Sequence, residues 1–267
     1  MISPVLLKRE AKANWKLLLI ILAVLTMYCA VIVIMFDPEF GDSIKALSET
    51  MPEIFNAFGM GNTGAVTLTG FLSNYLYGFL LVVLPLVFII ILANRLIARY
   101  VDSGSMAYLL ATPNGRVKIA LTQAVFLLLS VIALNLFVTL LLIIFSKAMF
   151  PGQLDCPRFI MLNTGLLGLH VFLSGLCFCA SCIFNDTKRS NGVGAGLTIA
   201  FILIQMLSNV DDKLESLKYA TPLTLFNPDN ILAGEPGAGI SFIILYITGL
   251  ILFFIGIASF SRRDLHI

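Results

Sequence analysis

Six stretches of this chain, residues 17–36, 71–94, 119–146, 159–183, 191–210 and 240–260, contain no Lys, Arg, Asp or Glu, although the chain holds 17 basic and 15 acidic residues. Each is near or above the roughly 20 residues that a helix needs to cross about 30 Å of hydrocarbon. Lipid offers no partner to a bare backbone N–H or C=O, so a membrane-crossing segment is a helix or a strand of a closed barrel. Runs this long lack the in-out alternation of a barrel strand. Only 12% of the residues are charged, against about 25% in a soluble protein, and no soluble core could cover that much apolar surface. The expected fold is therefore an all-α membrane protein of six transmembrane helices.

The segments between the runs orient it. Lys8, Arg9, Lys12, Lys16, Arg95, Arg99, Arg116, Lys118, Lys188, Arg189, Arg262 and Arg263 fall on one side. The other side has only Lys45, Lys147, Arg158, Lys213 and Lys218. The side rich in Lys and Arg is the cytoplasmic one, so both termini are expected in the cytoplasm of a bacterial plasma membrane. The first run exceeds an ordinary signal-peptide core, and no small-residue cleavage motif leads into Asp37, so it reads as a retained helix. Residues 1–16 form an amphipathic interfacial segment, with Trp15 as its anchor, and residues 17–267 form the six-helix domain.

Within the spans the chemistry is sparse. Cys177, Cys179 and Cys182 would project at about 0°, 200° and 140° around a helix, so they do not converge on one metal ion. Gly59, Gly61 and Gly64 spell GxGxxG, but they follow no strand and lie on the outer side, where a nucleotide-binding reading fails. Pro85 bends the second span. Gly192 with Gly196, and Gly165 with Gly168, are expected to serve close helix packing. His170 is the one ionisable group inside the runs apart from the thiols and the tyrosine phenols, and a hydrogen-bonded packing role is the simplest reading of it. The outer loops, about 37–70 and 211–239, carry apolar residues such as Ile54, Phe55, Phe58, Leu223 and Phe226, which suggests that they pack on the helices or the membrane.

Between the second and third spans, Asp102 or Ser103 can cap a helix. Met106, Leu109 and Leu110 follow at i, i+3 and i+4, and Pro113 with Gly115 ends it. A cytoplasmic helix of about ten residues results. Its apolar face would rest on lipid headgroups or in a groove on a cytosolic partner.

This segment resembles the coupling region of type-2 ABC exporter permeases, in which an acidic residue, Gly-Thr, a Leu-Leu pair, Pro and Arg follow in order. Here Asp102, Gly104 with Ser105, Leu109 with Leu110, Pro113 and Arg116 stand at those places. Ser105 replaces the usual Thr, and Tyr100 sits where a further Glu is common. The opening LLKREAKANWK, the closing SFSRRDL and the outer stretch YATPLTLFNPDNILAG are also similar to the family, so the likeness spans the chain. The resemblance implies a permease domain over 17–267 and a coupling helix carrying Asp102, Gly104, Ser105, Met106, Leu109, Leu110, Pro113 and Arg116. It also implies a separate ABC ATPase that holds ATP and magnesium, because the chain has no GxxxxGK[ST] and needs no cofactor of its own. A second permease, identical or not, would complete the assembly. Spans without fixed charge suit an amphipathic or hydrophobic cargo, such as a peptide, a lipid-like compound or a drug. An ion-coupled carrier would need ionisable groups in the spans. That reading, a non-transporting sensor or assembly protein, and an intramembrane enzyme built on His170 are the alternatives.

Overall fold

The computed structural model describes residues 2–36, 49–60, 67–112, 114–210, 212–235 and 237–263. Gly61 and Gly64 of the GxGxxG stretch, Pro113, and the end of the closing motif at 264–265 lie outside them. Among the described residues all regular structure is helical, and six helices are long and apolar enough to cross a membrane.

Helix α1 (Pro4–Ile34) starts with proline at its first position, where a missing N–H costs nothing. It buries Leu6, Glu10, Asn14, Ile21, Leu25, Cys29, Ile32 and Val33. Those intervals of mostly three, four and seven residues mark one helix face. No break separates residues 4–16 from the first span: the lead-in and the span are one rod, with its N-terminal third packed inward through Leu6, Glu10 and Asn14.

The second span is broken. Short α2 (Pro52–Ala57) lies in the preceding loop, and α3 (Leu68–Leu72) runs into a π-helical turn, Ser73–Tyr77. Phe79, at φ −141° and ψ −54°, separates this turn from α4 (Leu80–Leu96). Ile97, at φ −129° and ψ −64°, separates α4 from α5 (Ala98–Asp102). Pro85 lies inside α4 and has no N–H for the Leu81 carbonyl. The His170 ring from α8 faces the Leu81 and Val82 backbone at that point. Its Nε2 is buried without meeting hydrogen-bond geometry.

After α6 (Met106–Leu110) come α7 (Arg116–Met149), α8 (Cys156–Ile183), α9 (Thr187–Ser208), the short outer helix α10 (Pro228–Ala233) and α11 (Gly237–Arg262). Two 3-10 segments, Asp212–Ala220 and Pro222–Leu225, precede α10. Asp155 caps α8 by accepting from Arg158 N, and Asp186 caps α9 by accepting from Arg189 N.

Helix α8 is the axis of the bundle, with most of its residues buried against α4, α7, α9 and α11. It runs parallel to α11, and the two backbones nearly touch. A Cβ at Gly175 would lie 2.5 Å from the Gly249 carbonyl oxygen, and one at Gly249 would lie 2.9 Å from the backbone of Val171 and Phe172. Only glycine permits that approach. Gly165 and Gly168 face Phe242 and Tyr246 of α11, as the sequence suggests. Gly192 and Gly196 do not pack on the described residues: none lies within 4 Å of either Cβ position, and Gly194 between them meets Cys177 and Ala180 instead. A 3.6-residue period places 192 and 196 on one face and 194 on the opposite one, and only the second is turned to α8.

Polar side chains tie α7 to α8 inside the apolar zone. Asn135 lies 2.7 Å from His170 Nδ1, and the Thr139 hydroxyl donates to Asn163 Oδ1 at 2.9 Å. Such interhelical bonds contribute about 0.6 kcal/mol each. Ser174, four residues from the histidine, donates to the Val171 carbonyl. The histidine thus sits in a packing contact, with no serine among its hydrogen-bond partners in the described residues.

Candidate functional site

Most basic residues among the described ones lie at the end of the bundle where the starts of α1 and α7, the end of α11 and two loops meet. Arg116 Nη1 donates to the Arg263 carbonyl at 2.8 Å, and Arg263 Nη1 donates to the Phe184 carbonyl at 2.8 Å. Ser3 N donates to Thr122 Oγ1 at 3.0 Å. These bonds tie the starts of α1 and α7, the end of α11 and the α8–α9 loop into one platform.

The turn between α5 and α6 sits on this platform. Asp102 is exposed and ends α5. Gly104 takes φ +69°, with nothing within 4 Å of a Cβ there, so backbone conformation rather than space calls for glycine. Ser105, not Asp102 or Ser103, is the N-cap of α6, and its side chain makes no capping bond. Its hydroxyl reaches back to the Tyr100 carbonyl at 3.3 Å and lies 2.7 Å from Ser103 Oγ. The cytoplasmic helix expected to span about ten residues is thus half that length. A left-handed glycine directly before it stops an earlier start.

The apolar face of α6 points inward. Met106 is 0% exposed and Leu109 is 8%, both within the chain's own core, and Leu110 is half-buried. The expected cover for this face was lipid or a partner, but the chain supplies it. The i, i+3 spacing reports that a face is buried and says nothing about what buries it. What remains outward is Ala107, Ala111, Thr112 and Tyr108, the last 81% exposed. Of the residues singled out from the sequence, Asp102, Gly104, Ser105, Met106, Leu109 and Leu110 share this turn. Arg116 is diverted to the C-terminal tail.

Beneath the turn lies a cluster that the sequence reading did not single out. Glu10 is 1% exposed. Its Oε1 accepts from the Tyr100 hydroxyl at 2.8 Å and from Gln123 Nε2 at 3.1 Å. Its Oε2 accepts from Asn14 Nδ2 at 3.4 Å, and Asn14 Oδ1 accepts from Arg95 Nη1 at 3.4 Å. The Arg9 guanidinium lies 5.7 Å from the Tyr100 ring centre. Among the described residues no cation forms an ion pair with Glu10, so neutral donors carry the buried carboxylate. Hydrogen bonds to a charged acceptor are about twice as strong as neutral ones, and such a cluster is costly to leave half-made. Two signals were available: Glu10 is the sole acid in a basic leader, and Tyr100 is the departure from the usual Glu. The two turn out to be partners.

A family model described as ABC-2 family transporter protein matches residues 8–265, nearly the whole chain. The chain belongs to the ABC-2 transporter family. Neither a curated protein nor a solved structure matches it. As an ABC-2 protein it is a multi-pass membrane component of a transporter. Family members of this kind generally work with an ATPase subunit.

Proposed function

We propose that this chain is the transmembrane permease subunit of an ATP-driven exporter in a bacterial plasma membrane, moving an amphipathic or hydrophobic substrate with energy from a separate ATPase. The family match over residues 8–265 carries this reading. The basic platform is the cytoplasmic face, following the Lys and Arg asymmetry. The ATPase, with its ATP and magnesium, docks on the α5–α6 turn through the exposed crown of Ala107, Tyr108, Ala111 and Thr112, beside Asp102. Met106 and Leu109 seat that crown on the bundle. The Glu10 cluster then passes the turn's displacement to α1 and α7, because Tyr100 stands only two residues before Asp102. A second permease of the same or another sequence completes the pair.

The test is co-purification of the native complex in mild detergent, followed by measurement of drug- or peptide-stimulated ATP hydrolysis. Tyr108→Glu is expected to lower ATPase capture at least tenfold while the permease keeps its elution profile and thermal midpoint. An ATPase that binds Tyr108→Glu at full strength would refute docking at this turn.

A further inference from the structure

At the end of the bundle opposite the platform, a cavity of about 620 Å³ opens between the π-helical turn, the end of α9 and the 3-10 and α10 segments. Ordinary small-molecule pockets measure about 300–1,000 Å³. Its polarity departs from the apolar pathway that the spans suggest. Five carboxamides line it: Asn56, Asn74, Gln205, Asn209 and Asn227. Among the described residues its charged lining is one of each sign, Lys218 and Asp229.

Four of the five carboxamides are held by hydrogen bonds. Gln205 Nε2 donates to Asn209 Oδ1 at 3.3 Å, and the Thr224 hydroxyl donates to Gln205 Oε1 at 3.1 Å. Asn74 Nδ2 donates to the Met60 carbonyl at 3.3 Å. Asn227 Oδ1 accepts from the backbone N–H groups of Asp229 and Asn230, at 3.0 and 3.2 Å. That fixes the oxygen and leaves the side-chain NH₂ without a bond among the described residues. In the same wall, the Ser73 hydroxyl is buried, 1% exposed, and has no hydrogen-bond partner among the described residues. A buried hydroxyl without a partner costs about 1–3 kcal/mol, and it sits in a π-helical turn, a distortion frequent at functional sites.

We propose that this cavity is a binding site for a short peptide segment without net charge. In an extended segment the N–H and C=O of one residue point to the same side, so a carboxamide can accept from the first and donate to the second. Between the amides the wall is apolar, with Val83, Ile202, Met206 and Leu223, which suits the side chains of such a segment. A sugar would use open aromatic faces, but of the three rings in the lining Phe79 is engaged edge-on by Phe58, with ring centres 4.8 Å apart, and Tyr77 and Phe226 are buried. The proposal narrows the substrate class of the exporter reading and rests on that reading for its purpose, though not for its test, which measures binding without transport.

The experiment uses the detergent-purified full chain carrying Cys156→Ser and Ala57→Cys, a lining position outside the carboxamide set. The remaining native cysteines are buried, so a fluorescent maleimide reports on the cavity. The probe is an N-acetylated, C-amidated tripeptide of alanine and leucine, with maltotriose as its polyhydroxyl counterpart. The tripeptide is expected to slow labelling saturably. Ser73→Ala is expected to raise the half-protecting concentration about fivefold, and Val83→Trp, which fills the cavity, to abolish protection. Ile202→Phe serves as the filling variant if Val83→Trp does not fold. Absence of protection by millimolar tripeptide, protection indifferent to these substitutions, or protection by maltotriose alone would each overturn the proposal. Peptide binding in a chain that captures no ATPase would leave the site standing and remove the exporter reading instead.

Discussion

The two ends of this bundle use polar groups differently. At the basic end every side chain of the Glu10 cluster bonds another, and Arg116 and Arg263 each donate to a carbonyl, although Gln123 Oε1 and Arg263 Nε and Nη2 are buried without partners among the described residues. At the far end, polar groups surround an open space, and the Ser73 side chain has no partner at all among the described residues. A closed network fixes the relative positions of the helices that enter it, whereas an open one is available to something that arrives later. The first arrangement suits transmission of a movement, and the second suits reception of a molecule.

This contrast can be broken by single substitutions, because a side chain that holds several bonds should be costly to remove and one that holds none should not. Glu10→Ala strands the Tyr100 hydroxyl and the Gln123 amide together, and is expected to cost about 3 kcal/mol. A clear drop in the thermal midpoint in detergent would show it, and Glu10→Gln should recover part of the loss. An unchanged midpoint would mean that the cluster is not holding α1, α5 and α7 together. Arg116→Ala removes one bond from a half-buried charged donor to a carbonyl, and about 1 kcal/mol is expected from the same melting measurement. Ser73→Ala should leave stability in that measurement unchanged or raise it, by up to about 1–3 kcal/mol, since it removes a buried hydroxyl without a partner among the described residues. A loss as large as that of Glu10→Ala would show that Ser73 is bonded in the native protein, and the contrast between the ends would disappear.

How much of this was legible beforehand follows the range of the forces involved. The six spans were plain, because the exclusion of charge from hydrocarbon acts on every residue of a run. The breaks in the second span were not: the π-helical turn at Ser73–Tyr77 and the kinks at Phe79 and Ile97 lie within or beside apolar sequence whose punctuation is Gly78 and Pro85, and neither residue specifies a π turn. The turn at Asp102–Leu110 was placed correctly between spans, since Gly104 and the Met106, Leu109 spacing are local signals. Its length and the direction of its apolar face were not legible, because burial by the chain's own core is a tertiary fact. Glu10 shows the same limit. Leu6, Glu10 and Asn14 follow at i, i+4 and i+8, a spacing that marks a face, but only the fold shows that Tyr100 and Gln123 stand opposite it.

Helix α1 has 31 residues without interruption, which at 1.5 Å each makes a strut of about 46 Å. One end is clamped beside Tyr100 by Glu10, and the other bears on α3 and the end of α7, where Phe36, just past its last turn, meets Phe71 and Phe150. A strut does not bend to absorb a push at its base; it tilts. A small swing of the α5–α6 turn would therefore arrive at the opposite side of the bilayer as a sideways shift of the aromatic contacts there, amplified by leverage rather than relayed residue by residue.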